Sequence, residues 1–183
     1  GLTDKNFRGA FITHRAVREL NEIFTGMLID QGVNAFPVHP LSCATLSGGR
    51  IATFDLKAVK AMLRRDIVPV LHGDVVIDVK KGSGILSGDQ IAVYLAKHLM
   101  AAKIGMGTDV EGVLDSESKL IPVITPVSYK LIRKIVKGSK GVDVTGGMLG
   151  KVDELIAIAN TGISSRIFNA KRKFPLCCGS QAR

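Results

Sequence analysis

At 183 residues, 46% of them hydrophobic and 22% charged, the chain can bury a proper core and has the composition of one ordinary soluble domain. A formal charge of +9 points to anionic partners, but only 5% of residues are aromatic and tryptophan is absent, so stacking platforms for single-stranded nucleic acid are poorly supplied. The cations cluster at Arg64 and Arg65, Lys80 and Lys81, Lys130 to Lys140 and Lys171 to Lys173; they are read as solvated helix faces, and no nucleic-acid partner is expected.

Membrane insertion is not expected, because His72, Asp74 and Lys80 interrupt the longest apolar candidate. Cys43, Cys177 and Cys178 form neither a spaced metal pair nor an even disulfide set, which favours a reducing cytoplasm. The sequence opens at Gly1 with no secretory leader and no initiator methionine, as a processed protein or a piece of a longer one would.

In chain order, Ala16, Leu20, Ile23, Phe24, Met27 and Leu28 recur at helical spacing and predict a long helix with one apolar face, closed by Gly32. A short strand follows over Asn34 to Val38, then a turn at Gly48 and Gly49 and a brief strand near Ile51. Leu56, Val59, Met62 and Leu63 predict a second helix. Ile67 to Leu71 reads as a buried strand ending in His72, Gly73 and Asp74, and loops at such strand ends are where open α/β sheets bind ligands. Val75 to Leu86 reads as a hairpin, and Ile91 to Leu99 as a helix capped by Ser87 or Asp89. A strand over Lys103 to Gly107, a helix over Pro126 to Lys137, another to about Asn160 and a strand near Ser165 to Phe168 complete the alternation. Such alternation predicts an α/β sheet with helices on both faces.

Candidate chemistry lies in three glycine-containing turns, each with one functional side chain: Asp89, Asp109 and Lys151. In the third, Val142 to Lys151, Gly146 and Gly147 fall where a helix begins, so bare amides and the positive helix end suit a phosphate, with Lys151 one turn further on. A P-loop does not fit, since Thr145 takes its first glycine's place and Val152 that of its hydroxyl residue. The bland alternatives are a tight loop with a solvated lysine, a plain helix cap at Asp89 and a turn residue at Asp109. A carboxylate near a lysine and backbone amides suits phosphoryl transfer, which needs positioning and charge neutralisation more than covalent help. His14, His39, His72 and His98 show no metal-binding spacing, Ser164 and Ser165 no nucleophile elbow, and no metal site is expected.

Taken together, Val68 to Asp74, Ile85 to Asp89, Thr108 to Val113 and Asp143 to Lys151 resemble the isopentenyl phosphate kinases of the amino acid kinase superfamily, in family order from about Gly9 to Asn169. The resemblance implies an amino acid kinase-like three-layer sandwich, mainly parallel, in a single domain over 1–183. Residues to about 100 would form its substrate side and about 101–170 its nucleotide side. It implies ATP-dependent phosphorylation of isopentenyl phosphate, with magnesium, in isoprenoid biosynthesis, by a cytoplasmic homodimer. Lys151 and Asp89 would be catalytic, Lys151 on the ATP phosphates and Asp89 organising the lysines. Thr108, Asp109, Gly146 and Gly147 would hold the nucleotide. Gly88 and Ser87 would meet the substrate phosphate, and Thr13 and Val17 would line the isoprenoid pocket, with Phe11 and Ala16 adding to an apolar wall.

The chain departs from the family in four places. Gly1 falls after the family's lysine and glycine-rich first loop and its substrate-gripping histidine, so a truncated, marginally stable or associating chain is expected. Gln90 and Glu111 replace aspartates, and from Lys171 through Cys178 the tail resembles nothing in the family. A sister kinase acting on an acylamino acid, carbamate or nucleotide, or a non-catalytic nucleotide-binding module, stays open beside the leading reading.

Overall fold

The computed structural model describes residues 7–115, 117–138, 147–171 and 180–182, with 134–138 and 180–182 described by backbone alone. It divides into two compact units, Gly1–Ile91 and Ala92–Arg183.

The first unit begins with helix α1 (Phe7–Asp30). Strand β1 (Ala35–Pro37) runs parallel to β4 (Val68–Val70) in a two-stranded sheet, and a 3-10 turn (Pro40–Ser42) follows β1. A four-stranded sheet has the order β3-β2-β5-β6, from β2 (Ala44–Ser47), β3 (Arg50–Phe54), β5 (Asp74–Asp78) and β6 (Gly82–Leu86). The β2–β3 and β5–β6 pairs are antiparallel hairpins and β2–β5 is parallel. Leu46, Val76 and Leu86 fill the interior with Val59 from α2 (Lys57–Leu63), and burial of such side chains supplies about 1.5–3 kcal/mol each.

Helix α3 (Gly88–His98) starts in this unit and contributes Val93 and Ala96 to the core of the second. There β7 (Lys103–Thr108), β8 (Val123–Ile124), β9 (Ser164–Asn169) and β10 (Ser180–Ala182) form a sheet of order β7-β9-β10-β8. The β7–β9 and β8–β10 pairs are parallel and β9–β10 antiparallel. Helices α4 (Pro126–Gly138) and α5 (Gly147–Ala159) accompany it, and α5 buries Val152, Leu155 and Ile158 against Ile104, Met106 and Ile167. With four parallel pairs to three antiparallel ones among the described strands, the mainly parallel α/β class expected from the sequence holds.

Helix α1 corrects the sequence reading. Its predicted apolar stripe is exposed, Leu20 at 65% and Phe24 at 53%, whereas the buried residues are Asn21 and Thr25. The helix docks through hydrogen bonds instead, Asn21 Nδ2 donating to the Val70 carbonyl at 3.1 Å and His14 meeting Asp74. Phe11 and Ala16, expected in an apolar wall, are likewise exposed. The strand expected to be buried over Ile67 to Leu71 is also corrected: in β4 Val68 is 44% exposed and only Val70 is buried, because a two-stranded sheet covers little of either. Strands β2, β8 and β10 lacked a readable signal: β2 is Ala-Thr-Leu-Ser, and β8 has two residues.

Candidate functional site

The start of α3 resolves the choice of cap. Ser87 Oγ accepts the Gln90 N–H at 3.1 Å, so Ser87 is the N-cap and Asp89 lies inside the first turn, where a carboxylate is favoured by the helix dipole. Asp89 is thereby released from the capping role that was its bland alternative. Gly88 faces open space: a β-carbon there would meet nothing within 4 Å. Behind this turn the packing is tight, since a β-carbon on Gly73 would lie 3.2 Å from the Gly88 nitrogen and 3.3 Å from the Leu86 carbonyl oxygen.

A cavity of about 500 Å³ lies in the same unit. Gly9, Ala10 and Thr13 of α1 line it with Gly49 of the β2–β3 turn and Val75, Asp78, Lys81, Ser83, Gly84 and Ile85 of the β5–β6 hairpin. Val75 pairs with Ile85, and the next pair, Asp74 with Leu86, leads into Ser87, so this floor ends two residues from the α3 cap. Of the two residues expected on the pocket wall, Thr13 lines the cavity, although its hydroxyl donates to the Gly9 carbonyl at 3.0 Å. Val17 is half-buried on the same helix, one turn on, and is not part of the lining.

Two buried carboxylates brace the walls. Asp78 accepts the N–H groups of Gly48 (3.0 Å), Gly49 (2.6 Å), Lys80 (2.9 Å) and Lys81 (3.1 Å), joining both hairpin turns. Burial alone would raise the Asp78 carboxyl, but these backbone donors outweigh it and hold it below the usual carboxylate range. Gly48 and Gly49 can present adjacent amides because both adopt positive φ, +65° and +89°. Asp74 accepts His14 Nδ1 at 2.9 and 3.1 Å, with the N–H groups of Leu41 at 3.2 Å and Val75 at 2.8 Å, so α1, the 3-10 turn and β5 meet on one side chain.

Where β1 and β4 end side by side, His39 Nδ1 lies 3.0 Å from His72 Nε2, and His72 Nδ1 lies 3.0 Å from the Gly73 carbonyl. The carbonyl can only accept, so His72 donates from Nδ1; its Nε2 then accepts from His39. The imidazole of His39 is held below its ordinary value, chiefly by burial and then by His72, Arg18 and His14, with Asp74 opposing. Burial, reinforced by Asp55 and Asp74, pushes the Cys43 thiol up, which makes it a poor nucleophile. Sequence spacing showed none of these partnerships, since His14 and Asp74 are 60 residues apart.

In the second unit β7 alternates Ile104 and Met106, buried, with Gly105 and Gly107, over which the Phe168 ring lies so closely that β-carbons would meet it at 3.1 and 3.6 Å. The strand ends at Thr108, whose hydroxyl donates to the Val110 carbonyl at 2.8 Å and shapes the turn that leaves Asp109 exposed. Beside it Asn169 Nδ2 donates to Glu111 at 2.9 Å. Gly147 is the first residue of α5, and Lys151 sits half-buried one turn on. Gly146 and the preceding part of that loop lie outside the described residues, as does the tail from Arg172 to Gly179.

Several known proteins are similar to this chain. The chain is 40% identical over 151 residues to the isopentenyl phosphate kinase of Haloferax volcanii, covering 82% of this chain and 60% of that protein. It is 40% identical over 146 residues to the enzyme of the same name from Methanocaldococcus jannaschii, covering 80% and 55%. It thus spans a little over half the length of these relatives. The fold matches a solved isopentenyl phosphate kinase with a TM-score of 0.80 and 25% identity, over 100% of this chain and 74% of that one. The amino acid kinase family pattern matches residues 3–169, so the chain belongs to the amino acid kinase family.

Proposed function

We propose that this chain carries out transfer of the terminal phosphoryl group of ATP to isopentenyl phosphate, giving isopentenyl diphosphate for isoprenoid biosynthesis. The observation that carries the reading is the start of α3: Ser87, two residues beyond the Val75–Ile85 cavity floor, caps the helix, Gly88 faces open space and Asp89 stands in the first turn. A phosphate at that helix end would be met by backbone amides and the positive dipole, and an apolar tail could lie over Val75 and Ile85. The 40% identity to proteins named for this reaction supports the same substrate.

In this reading Gly88 and Ser87 receive the substrate phosphate, and Thr13 and Val17 flank the tail. Asp89 orients the ammonium groups that neutralise the transferring phosphoryl. Lys151 supplies one such group, and Thr108, Asp109, Gly146 and Gly147 hold the nucleotide. Magnesium arrives on the nucleotide's phosphates and neutralises charge there. The protein works in the cytoplasm as a homodimer; no helix among the described residues is long and apolar enough to cross a membrane.

One observation favours a second reading. Lys81 lines the cavity, and a cation there would suit the carboxylate of an acylamino acid in a sister kinase. Incubation with ATP and magnesium, followed by 31P NMR, separates the two: a new isopentenyl diphosphate signal is expected from isopentenyl phosphate, and no acyl phosphate signal from N-acetylglutamate. Turnover of the acylamino acid alone would overturn the leading reading, and Lys151→Ala should abolish turnover in either case.

A further inference from the structure

The β4–β5 loop lies behind the α3 cap, and its His72 and the neighbouring His39 belong to no role assigned so far. At Gly73 it runs close behind the start of α3, near enough that a β-carbon added there would lie 3.2 Å from the Gly88 nitrogen and 3.3 Å from the Leu86 carbonyl oxygen. The carbonyl of Gly73 is held by His72 Nδ1, and His72 Nε2 by His39 Nδ1 from the end of β1. On its other side the loop is anchored by Asp74, clasped by His14 of α1 and by the Leu41 amide.

We propose that His39 and His72, with the His14–Asp74 pair, are positioning residues that hold Gly73 against Gly88 and so set where a phosphate is received at the start of α3. The proposal rests on that helix end being the substrate-phosphate site. Its chemistry follows from the donors and acceptors. With both rings neutral, the sequence of bonds runs His39 N–H to His72, then His72 N–H to Gly73, and the two nitrogens that face each other between the rings share one proton. One added proton can sit on His39 Nε2 without breaking this order. With both rings protonated, two N–H groups confront each other across 3.0 Å, and the link from β1 to Gly73 is lost. The charges facing His39 are His72 on the β4–β5 loop, Arg18 and His14 on α1, and Asp74 on β5; Cys43 Sγ contacts its backbone carbonyl at 3.5 Å. Burial, and after it His72, Arg18 and His14, disfavour a positive His39 ring and only Asp74 favours it, so His39 is held toward the neutral form that donates to His72.

The test uses the intact protein with 15N-labelled histidine and glycine. Long-range 1H–15N spectra at about pH 7.5 are expected to show His39 and His72 as Nδ1–H tautomers, and acidification should move the Gly88 amide with the midpoint of the His39 ring. His39→Asn keeps a donor near the Nδ1 position but cannot titrate. It should remove the part of the Gly88 shift that follows His39 and keep KM for isopentenyl phosphate within about twofold, while His39→Ala raises KM about tenfold with kcat changed far less. An Nε2–H tautomer at His72, or a Gly88 amide indifferent to the rings, overturns the proposal. If the rings and Gly88 titrate together while isopentenyl phosphate is not turned over, the coupling stands and the substrate reading is what fails.

Discussion

His14 on the first helix grips both oxygens of Asp74, 60 residues later, at 2.9 and 3.1 Å, with the carboxylate side chain wholly buried. In His14→Ala that carboxylate keeps two backbone donors but loses its side-chain partner and its link to α1. A buried acceptor deprived of a partner costs about 1–3 kcal/mol, so urea unfolding should show a loss of that size. An unchanged unfolding midpoint would mean that α1 is held elsewhere.

Asp78 makes stability depend on acid. Its folded carboxyl is held below the ordinary value, so its contribution is present above the unfolded value of about 3.9 and is lost as pH falls through the folded one. Asp78→Asn should therefore melt at lower temperature near neutrality, because Gly48, Gly49, Lys80 and Lys81 lose a shared anion. The gap from wild type should close below about pH 4. Thermal melts between about pH 3 and 7 check both halves of the statement.

His39 gives a second window of the same sign. Its folded value is lowered, so the unfolded chain binds the proton more readily and stability falls as pH drops below about 6.5. In His39→Asn the slope between about pH 6.5 and 5 should flatten, and equal slopes in the two proteins would contradict a neutral His39.

Ser87 and Asp89 are two positions apart and should fail in different ways. Ser87→Ala removes the acceptor of the Gln90 N–H, which typically costs about 1 kcal/mol at a helix cap. Asp89→Asn leaves the cap in place and should change the melting temperature little, while lowering kcat at least about 100-fold if the carboxylate orients the catalytic cations. A melting loss at Asp89 with kcat intact would return it to a structural role.

Gly73→Ala tests the backbone contact directly. A β-carbon 3.2 and 3.3 Å from backbone atoms cannot be relieved by turning a side chain, and overpacking of this kind costs about 1–3 kcal/mol. Gly105→Ala, which meets only the edge of the Phe168 ring at 3.1 Å, should be milder, and calorimetry of the two variants gives the order.

The amino-acid sequence by itself determined the alternation of strands and helices, the glycine-containing turn before α3 and the family the chain resembles, because periodicity and turn chemistry act over a few residues. It placed Ser87, Gly88 and Asp89 on one helix start and Thr108 at a strand end, since each depends on its neighbours in the chain. Only the tertiary structure decided which stripe of α1 faces inward. Leu20, Ile23 and Phe24 make the more apolar face, yet the hydrogen bonds from His14 and Asn21 turn the other face to the sheet. The same holds for the His39–His72 pair and for the bonds of Asp78 to Gly48 and Gly49, whose partners lie about thirty positions away in sequence and meet only when parallel strands bring their ends together. A hydrogen bond needs its partner within about 3 Å, and sequence distance carries no record of that.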